Sequence, residues 1–328
     1  MSAAALLSEL RRRDILLRAE GSELRCSAPT GALTAELREQ LRQHKSDLIA
    51  LLASVQMRAL VPLQAPLQAG RYGPEGPRVP VFGVAGHNGD VFCYRLLAQC
   101  LGTEQPFYGL QPPGLDGEGE PLERVEDLAA YFARQILAFR PGGPCIIAGF
   151  CAGGTVAFEL AQQLAARGTQ IRFLALFGSP YPLYFTRRRQ LWLRLRRLAA
   201  HARELAGRSA DARRRYLAER LGARSLRLDA ARAATLDPVL ARRAQVERST
   251  LAGVRRYAPR PFAGRINLFL PGRPWRESGV LARRWGAHAA QAQEYFGPEA
   301  SDGANMLREV HAPAFAELFR RACSEISA

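Results

Sequence analysis

The stretch from Pro144 to Thr155 constrains this chain of 328 residues more than any other. An apolar run, Cys145 to Ala148, leads into Gly149, Phe150, Cys151, Ala152 and Gly153. A helical pattern begins at once, with Val156, Ala157, Leu160, Ala161 and Leu164 on one face. A buried strand that turns sharply into an amphipathic helix predicts a nucleophile elbow, which lifts its central side chain over the end of a sheet and aims it at a helix N-terminus. The turn needs small flanking residues, and Gly149, Gly153 and Gly154 supply them. The central residue is Cys151. Unpaired N–H groups at the helix start are expected to lower its pKa and favour a reactive thiolate. The competing reading is a buried structural cysteine in a chance G-x-C-x-G.

The rest of the composition narrows the classes. A hydrophobic content of 48% allows a full core, and the length allows one large domain and a small one. The formal net charge is +16, and Lys45 is the sole lysine, so the basic character comes from arginine. Such a surface suits an acidic partner. No motif or aromatic–basic interleaving points to nucleic acid. The cysteines, Cys26, Cys93, Cys100, Cys145, Cys151 and Cys323, show no C-x-x-C spacing and no pairing with histidine, so neither a metal site nor a disulfide framework is expected. With no signal peptide and no apolar run of spanning length, the expected location is cytoplasmic, with free thiols.

Residues 2 to 13 predict a short amphipathic helix with Leu6, Leu7 and Leu10 inward. Ile15–Ala19 and Glu23–Cys26 predict two short strands around Gly21. Thr34 caps a second helix whose apolar stripe is Leu37, Leu41, Leu48, Leu51 and Leu52. With Ala28-Pro29-Thr30-Gly31-Ala32-Leu33-Thr34 and Lys45-Ser46-Asp47-Leu48-Ile49, residues 1–54 resemble the TubC-like N-terminal docking domain of nonribosomal peptide synthetases. That resemblance implies a small α+β docking domain that receives the C-terminal tail of an upstream synthetase as an added strand, here near Arg18 to Arg25. A helical oligomerisation cap is the other reading. Pro62, Pro66, Gly70, Gly73, Pro74, Gly76 and Pro77 mark residues 55–78 as a linker.

From Val79 strands alternate with helices, which predicts a mostly parallel sheet. Strands are expected at Val79–Val84, Cys145–Ala148, Arg172–Phe177 and Ile266–Leu270, a strand running into a loop over Pro106–Leu115, and helices at Val125–Phe139 and Ala312–Cys323. Tyr108-Gly109-Leu110-Gln111-Pro112-Pro113-Gly114-Leu115, Gly149 to Gly154 and Met306-Leu307-Arg308-Glu309-Val310-His311 together resemble the thioesterase domains of polyketide and nonribosomal peptide synthetases. The resemblance implies an α/β-hydrolase fold over 79–328, with a helical lid over about 185–260. The lid is rich in arginine: Arg187–Arg189, Arg194, Arg196, Arg197 and Arg213–Arg215 are expected to face an acidic carrier protein and the phosphate of its pantetheine arm, or else to be solvated helix faces.

The resemblance also implies a site, and the chain departs from it. Cys151 replaces the usual serine. The oxyanion donors are expected to be the backbone N–H groups of Ala152 and His87. The family's acid and base positions fall on Gly178 and Gly303, so the triad is degenerate. Three arrangements fit. His311 or His87 supplies a rebuilt base; or Cys151 acts with little help, which favours amine acceptors or cyclisation over water; or the domain is a pseudo-thioesterase that serves as a non-catalytic scaffold. The second is preferred, since a thiol needs less base than a hydroxyl. The expected function is a free-standing thioesterase or acyltransferase of natural-product biosynthesis. It would off-load a chain from carrier-bound phosphopantetheine through an acyl-Cys151 and hold no bound cofactor. A cysteine hydrolase of small esters or lactones is a rival that has no need of a docking domain.

Overall fold

The structure is a computed structural model that describes residues 6, 9–10, 15–20, 23–28, 33–48, 59–63, 78–115, 119–206 and 237–327. It falls into two units, residues 1–59 and 60–328.

In the first unit, β1 (Leu16–Glu20) and β2 (Glu23–Ser27) form an antiparallel hairpin in which Leu16 faces Ser27 and Glu20 faces Glu23. Helix α1 (Ala35–Gln43) starts at Thr34, whose hydroxyl accepts from the Leu37 N–H at 3.3 Å. This side-chain cap satisfies one of the four free N–H groups at the helix start. Lys45–Leu48 are again helical. The unit buries Leu6, Leu10, Ile15, Leu37 and Leu48 together, a small core of leucine character. Most of the helix expected over 2–13, and Leu51 and Leu52, lie outside the described residues.

The second unit begins earlier than its sequence suggests. β3 (Leu60–Pro62), inside the expected linker, pairs antiparallel with β5 (Phe107–Leu110) at the edge of a seven-stranded sheet. The prolines nearby disguised it, but Pro62 ends an edge strand, where a missing N–H costs little. Leu60 and Leu63 are buried there. The remaining strands are parallel: β4 (Val81–Val84), β6 (Cys145–Phe150), β7 (Ile171–Phe177), β8 (Phe262–Leu270) and β9 (Ala289–Phe296). The order across the sheet is β3-β5-β4-β6-β7-β8-β9. β9 carries no β-branched residue, its start alternates only alanine with glutamine, and no strand is expected there. Its pairing along β8 makes it one.

Helices cover both faces. α2 (Arg95–Leu101), which follows a 3-10 turn at Val91–Tyr94, packs on α8 (Ala312–Ser327) over Phe173, Phe177 and Phe269. α3 (Val125–Phe139) packs on α4 (Gly153–Ala165) on the other face. Alternate residues of β7 serve the two sides, the period-two pattern of a sheet buried on both faces.

The interval expected to be a lid contains α5 (Arg187–Ala206) and α6 (Pro238–Arg256). Residues 207–236 between them, including Arg213–Arg215, lie outside the described residues. α6 is anchored to the body. Val246, Thr250, Gly253 and Val254 form its inward stripe. A Cβ on Gly253 would stand 2.8 Å from the Glu123 carbonyl oxygen, so glycine permits the close approach. Just beyond the helix, the Tyr257 hydroxyl donates to the buried Glu159 at 2.8 Å. A short helix, α7 (Arg273–Glu277), follows β8.

Candidate active site

Cys151 stands at the predicted elbow. Its φ is +52°, in the left-handed region that non-glycine residues avoid. The strain is held by the surroundings: the Cys151 N–H donates to the Phe177 carbonyl at 3.1 Å, and the Gly154 N–H to the Cys151 carbonyl at 3.1 Å. A Cβ on Gly153 would collide with the Ala85 carbonyl oxygen, so the helix start can approach β4 only with glycine there. The residue before the nucleophile turn and the residues after it are thus dictated by packing, as the sequence suggested.

The electrostatics of the thiol differ from the expectation. Burial pushes the Cys151 thiol up to about 11, and the Ala152 N–H, which hydrogen-bonds the sulfur, offsets only part of that. Desolvation of the charged form outweighs the helix N-terminus. The neutral thiol is thus favoured over the thiolate near neutral pH, and a proton acceptor beside it would help it react.

Gly178 and Gly303, onto which the resemblance maps an acid and a base, lie close together. Gly178 and Gly303 both line a cavity of about 740 Å³ that contains Cys151. A Cβ on Gly178 would lie 3.8 Å from the Gly303 Cα. The space for side chains is taken: the same Cβ would meet the Met306 sulfur at 2.6 Å, and a Cβ on Gly303 would meet the Trp275 indole nitrogen at 2.7 Å. Gly178 also has φ +47°, which resists any side chain.

His87 is the histidine that reaches the sulfur. It sits in the loop after β4, with its Nδ1 3.9 Å from Cys151 Sγ. Its Nε2 lies 3.5 Å from Oε1 of Glu247, on α6. His311, the other candidate, is buried at the start of α8 and lines neither cavity that holds Cys151. Its backbone bonds to Arg308 and Phe315 fix it as part of a helix cap. Sequence reading missed Glu247. The only signal for it is its register on α6, directly after the buried Val246 and one turn before Leu251, which faces the same cavity as Cys151.

A second cavity, about 670 Å³, is lined by residues of α5 and α6 and includes His87, Cys151 and Tyr184, which the first cavity also touches. Arg187, Arg194 and Arg255 line it, so the lid side of the nucleophile is basic. Among the described residues no group of three or more His, Cys, Asp or Glu side chains could hold a metal ion, and no helix is long and apolar enough to cross a membrane.

Residues 79–318 match the family model of the thioesterase domain, and residues 4–53 match that of the TubC N-terminal docking domain. Among curated proteins, polyketide synthase PksR of Bacillus subtilis is 34% identical over 102 residues, 31% of this chain and 4% of that protein. Nonribosomal peptide synthetase apvA of Aspergillus terreus is 33% identical over 105 residues, 32% of this chain and 11% of that protein. The chain therefore matches only a small part of these relatives' length. Among solved structures, the Vlm2 thioesterase domain bound with a dodecadepsipeptide superposes with a TM-score of 0.56 at 23% identity, over 81% of this chain and 98% of that one. The NocB thioesterase domain, in covalent complex with a fluorophosphonate nocardicin G analogue, gives 0.55 at 22% identity, over 76% of this chain and 96% of that one. Both show the shared α/β-hydrolase fold.

Proposed function

The chain belongs to the thioesterase domain family, and from that premise we propose that it off-loads or transfers an acyl or peptidyl chain from a carrier protein through an acyl-Cys151 intermediate. The observation that carries this reading is the strained elbow cysteine with an imidazole at its sulfur and a backbone N–H aimed at it. A scaffold with no turnover has no use for a nucleophile held at φ +52° beside a base, so the pseudo-thioesterase reading is set aside.

The substrate is a thioester on the phosphopantetheine of an acyl or peptidyl carrier. The basic lid-side cavity suits the phosphate and the acidic carrier surface, because guanidinium groups bind phosphate with charge-assisted hydrogen bonds. The acceptor is an amine, within the chain or free. An acyl-Cys is itself a thioester, and thioesters yield to amines more readily than to water. The earlier ground for this preference, an absent base, no longer applies, since His87 stands at the sulfur.

Recruitment belongs to residues 1–54. β1 and β2 pair only with each other among the described residues, so an outer edge is open for the C-terminal tail of an upstream synthetase. A chain starting just before Leu60 retains β3 and should react with a soluble thioester mimic, yet accept little from the intact synthetase.

The decisive experiment is intact-protein mass spectrometry after incubation with an acyl-pantetheine carrier or an acyl thioester mimic. An adduct that maps to Cys151 and vanishes in Cys151→Ala, but persists in Cys145→Ala, is expected. Wild-type protein that gains no mass with any thioester donor returns the domain to the scaffold class.

A further inference from the structure

On the side of Cys151 where the resemblance implies an acid and a base, Gly178 and Gly303 offer no side chain to serve as either. His87 stands at the sulfur with the Glu247 carboxylate behind its other ring nitrogen. We propose that Cys151, His87 and Glu247 form a relocated catalytic relay, with His87 Nδ1 as general base and Glu247, carried by lid helix α6, as the residue that positions it. This rests on the acyl-Cys reading above and adds the machinery that runs it.

The geometry allows one tautomer to make both contacts: a proton on Nε2 donated to Glu247 Oε1, and a bare Nδ1 facing the thiol. A carboxylate behind an imidazole fixes tautomer and orientation and stabilises the imidazolium that forms. At 3.9 and 3.5 Å the two contacts are longer than catalytic hydrogen bonds, and the proposal requires both to tighten when substrate binds. The acid is on a rigid support, since α6 is pinned at Val246, Gly253 and Val254, and at Tyr257 beyond its end.

The steps balance without any further reagent. His87 Nδ1 takes the Cys151 proton, and the thiolate adds to the thioester carbonyl. The oxyanion is held by the Ala152 N–H, joined by the backbone N–H of His87. The intermediate collapses and expels the pantetheine thiolate, which takes the proton back from the imidazolium. In the second half His87 accepts a proton from the incoming amine as it attacks the acyl-Cys, and the departing Cys151 thiolate recovers that proton.

Two readouts on the full-length protein test the relay. The first, alkylation of Cys151 by iodoacetamide at pH 7 followed by mass spectrometry, needs no knowledge of the substrate. The second is single-turnover acylation by a thioester mimic. His87→Ala should slow acylation by about 10²–10⁴-fold, the usual loss of a general base, and alkylation should fall at least about 10-fold with it. Glu247→Gln keeps shape and removes charge. It should lower kcat about 10-fold with KM nearly unchanged, and Glu247→Asp should recover part of the loss. The exposed neighbour Arg248→Gln should match wild type. Equal alkylation rates in wild type and His87→Ala, with melting temperatures alike, overturn the relay even if the donor is wrong. Absence of any acyl adduct alongside a His87-dependent alkylation rate overturns the acyl-transfer reading and leaves the relay standing. A Glu247→Gln variant that changes KM alone removes Glu247 from it.

Discussion

The two flanks of Cys151 make an instructive pair. On one, Gly178 and Gly303 lie close together after β7 and in the loop before α8, where the resemblance puts an acid and a base, and they line a cavity without offering a side chain. On the other, His87 and Glu247 come from the loop after β4 and from the lid. The sulfur is common to both. A nucleophile at an elbow is open from more than one side, so the fold can lose its usual base and still keep a base within reach. Met306 is fully buried beside Gly178.

That comparison can be pressed at three points, beginning with the largest effect. In His87→Ala nothing is left to take the thiol proton except solvent, so alkylation of Cys151 should climb about tenfold per pH unit between pH 7 and 10, roughly 10³-fold in all, toward its pKa of about 11. Wild type should show a shallower rise. A steep wild-type profile that coincides with the variant would place the base elsewhere. The same thiol gives a stability sign. Its pKa is raised by folding, so the stability it contributes is whole below the unfolded thiol's value and is lost as pH rises through about 11. Urea midpoints measured at pH 8 and pH 10.5 should differ less in Cys151→Ala.

The next effect is intermediate. Restoring the family's residues by Gly178→Asp with Gly303→His, in a His87→Ala background, should not restore acylation. It should cost about 2–4 kcal/mol of stability, because one position has positive φ and both would overpack. A urea melt and the acylation rate read both outcomes, and recovery of rate to within threefold or so of wild type would show the old flank to be open.

The smallest concerns His311. A His311→Gln variant should change acylation by less than about twofold while lowering stability slightly, as a buried helix-start residue does. Loss of deacylation in that variant, with acylation intact, would bring His311 back as the base for the second half-reaction.

Much of this was legible from local pattern. Apolar runs bounded by glycine and proline located β4 to β8 within a few residues, and Thr34 announced its helix, since strand burial and side-chain capping are short-range effects. The elbow, with its glycines on either side of Cys151, was written in a dozen consecutive residues because each contact that shapes it joins the turn to an adjacent strand or helix. The resemblance mapped an acid and a base onto Gly178 and Gly303, and the structure shows the two glycines to be neighbours.

What the chain alone could not disclose depends on contacts far apart in sequence. β3 and β9 are strands through their partners, not their composition. The ionisation of Cys151 is set by how many protein atoms displace water around the sulfur, a sum over the whole fold that outweighs the local helix N-terminus. His87 and Cys151 are 64 positions apart, and Glu247 lies farther on still, on a lid helix whose docking is decided by Gly253 and Tyr257. Periodicity tells which side of a helix faces inward; only the packed structure decides which nucleophile that side meets.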